Sequence, residues 1–131
     1  MPDLISINPA NGETVGSYPD LNSGEFASII SNVQEAYDPW RQLDISERCQ
    51  FFRQMAEVLR ARQNEFARLM ALEMGKPLTQ GKAEIEKSAM GCEYYAENGP
   101  EFLKEKHIET DATESYISFQ PLGVVLAIMP W

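Results

Sequence analysis

The sequence predicts an α/β chain, and three observations carry that reading. Alternating apolar residues flank a dense cluster of turn formers near the start. Three long stretches repeat apolar residues at helical spacing. The last residues include a run that is apolar on both faces, as a strand inside a helix-covered parallel sheet is. At 131 residues the chain has the length of one ordinary domain. Its 44% hydrophobic and 24% charged residues are the balance of a globular protein, which argues against disorder.

The first element reads as a short hairpin. Ile5 and Ile7 precede Asn8-Pro9-Ala10-Asn11-Gly12, Val15 and Tyr18 follow with alternation, and Pro19 and Asp20 close the unit. Asn22 and Glu25 then stand three apart, as the N-cap and N3 residues of a helix do. Phe26, Ile29, Ile30, Val33, Ala36, Tyr37 and Trp40 form its apolar stripe, and Pro39 is expected to stop it near Tyr37 or Asp38. Asp44 and Glu47 repeat the capping pattern for a second helix running to about Met74. There Phe52, Met55, Leu59, Phe66, Leu69 and Met70 mark the buried face, and Arg53, Arg60, Arg62 and Gln63 suit solvent. Gly75 sits where a left-handed cap residue is wanted, and Pro77 prevents continuation.

A third helix is expected over residues 78–98, with Ile85, Ala89, Cys92 and Ala96 along one side. Gly81 and Gly91 each weaken it by about 1 kcal/mol relative to alanine, a cost that close packing would offset. Asn98-Gly99-Pro100 ends or kinks it. Residues 116–120 alternate as a strand, Pro121-Leu122-Gly123 makes a bend, and residues 124–129 read as the strand apolar on both faces. One parallel strand cannot make a sheet alone. The chain is therefore either part of a larger α/β protein, or this run is core of another sort.

Charge narrows the partners. Eleven Lys and Arg against 20 Asp and Glu leave a net charge of -9, which repels phosphate backbones and anionic membranes, so neither nucleic acid nor membrane is an expected partner. Residues 1–7 carry no basic, apolar targeting pattern, and two cysteines make no disulfide framework, which suits a reduced cytoplasm. Chemistry is sparse. His107 is the only histidine and reads as a surface residue, so no triad or metal cluster rests on several imidazoles. Cys49 and Cys92 lack a neighbouring base and read as packing. Glu84, Glu86, Glu93 and Glu97, with Lys82 and Lys87 among them, look like a solvated helix face. No glycine-rich phosphate loop is present: Gly75-Lys76 lacks the spaced glycines.

Taken in order, the pieces carry a resemblance. Ile7-Asn8-Pro9-Ala10-Asn11-Gly12-Glu13, Trp40-Arg41, Glu73-Met74-Gly75-Lys76-Pro77, Tyr95-Ala96-Glu97-Asn98-Gly99-Pro100 and the closing Gln120-Pro121-Leu122-Gly123-Val124-Val125-Leu126-Ala127-Ile128-Met129-Pro130-Trp131 follow one another at the right spacing. Together they resemble the N-terminal part of the aldehyde dehydrogenase superfamily over essentially all 131 residues, most closely its succinate-semialdehyde dehydrogenase group. The fold this implies is a β-hairpin, three helices, an oligomerisation strand and the first strand of a Rossmann-like cofactor domain. Residues 1–131 would then be an incomplete portion of one such domain.

The resemblance implies NAD- or NADP-dependent oxidation of a small aldehyde to its acid, by a homo-oligomeric cytoplasmic parent. In the family a cysteine thiolate attacks the aldehyde, hydride passes to the nicotinamide, and a glutamate activates water to release the acid. Ile128, Met129, Pro130 and Trp131 match the strand end that lines the family's cofactor cleft. No catalytic residue is matched: the family's cysteine and glutamate lie further downstream, and Cys49 and Cys92 correspond to neither. The 131-residue polypeptide is thus expected neither to oxidise aldehyde nor to bind NAD(P)+. The competing reading is a noncatalytic helical module whose apolar stripes bind a partner protein.

Overall fold

A two-stranded antiparallel hairpin, β1 (Leu4–Ile7) and β2 (Thr14–Tyr18), begins the computed structural model, which describes residues 3–129. Its turn is built from the side chains the sequence supplies. Asn8 Oδ1 accepts from the Ala10 N–H at 2.9 Å, and Gly12, at φ 76°, returns its N–H to the Asn8 carbonyl at 2.8 Å. A register shift between Ser6 and Ile7 bends β1 as it enters the turn.

Helix α1 (Ser23–Gln42) starts as its residues dictate. The Asn22 side chain accepts from the N–H groups of Gly24 and Glu25, and Glu25 accepts from the Asn22 N–H at 2.9 Å, a reciprocal capping box. It does not end at Pro39. Proline removes one hydrogen bond, yet the helix continues to Gln42, where the Trp40 ring packs edge-on against Phe51 at 5.3 Å and the Leu43 N–H reaches the Trp40 carbonyl. The Trp40–Phe51 contact accompanies this last turn. No residue of α1 is buried.

The expected second helix is two: α2 (Ile45–Ala61) and α3 (Gln63–Met74), so the described residues carry four helices rather than three. The interruption falls at Arg62, whose backbone (φ -102°, ψ 15°) leaves helical values. Helix α4 (Leu78–Phe102) explains the break. Its C-terminal half meets α2, where Arg53 donates to the Ala96 carbonyl at 3.2 Å. Its N-terminal half meets α3, where Gln63 donates to the Lys82 carbonyl at 3.1 Å. A ladder interrupted once lets each piece follow its own stretch of α4. Like α1, α4 accommodates an internal proline, Pro100, and ends two residues later at Phe102. Gly75 (φ 70°) caps α3 through its N–H to the Ala71 carbonyl, as its position in the sequence requires. The hairpin is fastened here too, by Ser6 Oγ donating to Glu73 at 2.9 Å.

Small residues together with Ile85, rather than the aromatic and methionine side chains, make the core of the described residues. Cys49, Ala56 and Ala67 on α2 and α3 and Gly81, Ile85, Ala89 and Ala96 on α4 are buried, whereas Phe52, Met55 and Leu69 are exposed. Gly81 lies so close to Ala67 that a Cβ there would stand 3.2 Å from the Ala67 Cα, the close packing its glycine permits; Gly91 faces open space instead. The bulky side chains sit on the flanks of this seam and on α1. The accessible surface is 10635 Å², against about 7000 Å² for a folded monomer of the chain's 14.8 kDa.

After α4 the chain forms a two-residue ribbon, β3 (Lys106–His107) against β4 (Tyr116–Ile117), antiparallel and exposed. The strand expected over residues 116–120 is thus short, and its partner precedes it in the chain. Residues 124–129 form no strand. A strand buried on both faces needs neighbours along both edges and helices on both faces. The described residues bring no such neighbouring strand to it.

Candidate functional site

The residues matched to a cofactor cleft lie at the end of the described chain. Ile128 and Met129 are 86% and 79% exposed, while Pro130 and Trp131 fall outside the described residues. The approach to them is anchored where the Tyr37 hydroxyl donates to the Pro121 carbonyl at 3.3 Å. Gly123, at φ 106°, then turns the chain past α1, and Val33, Ala36, Tyr37, Trp40 and Val124 line a groove of about 320 Å³ between them. Ile128 and Met129 themselves offer only apolar side chains. A pyrophosphate needs a cluster of N–H donors or a helix N-terminus, and the sequence around them supplies no glycine-rich turn for one.

The two cysteines lie on α2 and α4. Cys49 is 4% exposed at the α2–α4 seam, its Sγ set 3.4 Å from where a Gly99 Cβ would stand. It borders a cavity of about 530 Å³ lined by Trp40, Ile45, Arg48, Phe52, Tyr95 and Phe102 among others. Cys92 is half-buried on α4, and both thiols are free. No histidine lines the Cys49 cavity. His107 sits in β3 with its ring 6.0 Å from that of Tyr116. Among the described residues no group of three His, Cys, Asp or Glu side chains is arranged to hold a metal ion.

The acidic face of α4 is more organised than its sequence suggests. Arg60 crosses from α2, donating to both oxygens of Glu86 at 2.9–3.2 Å and to Glu93 at 2.8 Å. These hydrogen bonds raise the Arg60 pKa further above its ordinary value and hold the Glu93 carboxyl below the usual carboxylate range. Glu84 pairs with Lys76. Glu86 and Glu93, seven residues apart and so on one face of α4, were the signal for a cation reaching across from a neighbouring helix. Arg60 read as a solvent residue because nothing local in the sequence shows α4 beside it. The arrangement offsets one of the two negative charges and clamps two helices.

Known proteins match the chain along almost its whole length. Residues 2–131 match the sequence model of the aldehyde dehydrogenase family. A probable succinate-semialdehyde dehydrogenase [NADP(+)] of Synechocystis is 41% identical over 128 residues, covering 98% of this chain and 28% of its own. A succinate semialdehyde dehydrogenase [NAD(P)+] of Escherichia coli is 39% identical, covering 97% and 28%. Among solved structures, the succinic semialdehyde dehydrogenase of Streptococcus pyogenes, determined with NADP+, superposes with a TM-score of 0.79 at 28% identity, over 86% of this chain and 25% of that one. The chain therefore spans little more than a quarter of the length of the curated relatives it matches.

Proposed function

This chain belongs to the aldehyde dehydrogenase family, and we propose that it serves as the opening segment of an NAD- or NADP-dependent enzyme that oxidises succinate semialdehyde to the acid. The observation that carries the reading is the match over nearly the whole chain to relatives of that activity. The surface supports it physically. An accessible area roughly half again that of a folded monomer of this mass, with Phe26, Ile29, Ile30 and Val33 of α1 exposed in one stripe, is what helices of a larger domain present when seen alone. Residues 1–131 are then a portion of the cofactor domain, with α1 to α4 as outer helices and residues 124–129 as its first core strand.

Within that enzyme, Ile128, Met129, Pro130 and Trp131 supply an apolar wall of the cofactor cleft, suited to the flat face of a ring and not to phosphates. These residues thus fit one part of a dinucleotide and do not make its site. The β3–β4 ribbon, with Tyr116, Ile117 and Phe119 exposed, contributes to contact between subunits, since an unpaired strand edge is a template for another strand. Two free cysteines suit a reducing cytoplasm.

The test is a chimera in which residues 1–131 replace the matching segment of the Escherichia coli relative. It is expected to reduce NADP+ with succinate semialdehyde, read at 340 nm, while the 131-residue chain alone gives neither turnover nor a stoichiometric burst. A folded, soluble chimera without activity would overturn the assignment. So would a burst from the isolated chain, which would require a nucleophile and cofactor site within it.

A further inference from the structure

No further inference is drawn: the strongest candidate, the apolar cavity of about 530 Å³ between the end of α1, the start of α2 and the last turns of α4 beside Cys49, carries nothing because nothing in the structure shows what fills or covers it.

Discussion

Replacing Gly81 and Gly91 by alanine, one at a time, sets the packing of α4 against its helix propensity. Both glycines lie inside the same helix, so both substitutions gain about 1 kcal/mol of intrinsic preference. Their surroundings differ. A Cβ at Gly81 would lie 3.2 Å from both the Cα and the Cβ of Ala67 and 3.4 Å from its carbonyl oxygen. Carbon atoms rest at about 3.5–4.0 Å, and the atoms in the way are two of the α3 backbone and the Ala67 methyl fixed to it, none of which can rotate aside. Overpacking of this kind costs about 1–3 kcal/mol, leaving Gly81→Ala neutral to destabilising by about 2 kcal/mol. At Gly91 nothing lies within 4 Å, so the full propensity gain remains. The two variants should therefore differ by about 1–3 kcal/mol. For a chain of this size that separates their melting temperatures by roughly 4–12 °C. Thermal and urea unfolding of the 131-residue chain, followed by far-ultraviolet circular dichroism, reads the difference directly. Ala67→Gly in the Gly81→Ala background should recover part of the loss. Equal stabilisation by both alanines would refute the α3–α4 contact, and destabilisation by Gly91→Ala would refute an open face at that position.

Three further outcomes follow from the same geometry. Gly75→Ala should lower stability by about 1–2 kcal/mol in urea melts, since φ 70° is strained for any Cβ and the Pro9 Cγ stands 3.3 Å from it; Gly75→Asn should cost less. In thiol titration of the native chain, Cys92 should react first and Cys49 only as the α2–α4 seam opens, on the order of tenfold slower, and in the chimera Cys49→Ala and Cys92→Ala should both leave aldehyde oxidation intact. Arg60 holds the Glu93 carboxyl below its ordinary value of 4.5, so its contribution is present above that value and lost as pH falls through the lower folded one. The melting-temperature gap between wild type and Glu93→Gln should accordingly be widest near neutral pH and close in acid as the folded carboxylate takes up its proton, and a gap independent of pH would show that the Arg60–Glu93 pair does not form.

Signals confined to a few neighbouring residues are legible in the sequence itself. The Asn8 turn, the Asn22–Glu25 capping box and the Gly75 cap each depend on side chains and dihedrals within a handful of positions, and each stands where the sequence puts it. The family resemblance is legible for a related reason, because ordered short motifs persist in sequence whether or not their partners are present. Long-range balances are not legible. Pro39 reads as a stop until Trp40 is seen against Phe51, and Arg60 reads as solvent until Glu86 and Glu93 arrive from α4.

The sequence by itself determined the hairpin, the helical character of residues 23–102 outside their short connections, and the kinship of the chain, since propensity, capping and motif order are local properties. Tertiary structure alone decided the rest. Helices α2 and α3 divide at Arg62 because α4 offers each a different stretch to follow, and alanine and glycine, not phenylalanine and methionine, form the seam because only small residues let the helix backbones approach so closely. Residues 124–129 have a strand's composition and form no strand, because a strand's hydrogen bonds are made by its neighbours and its composition cannot supply them.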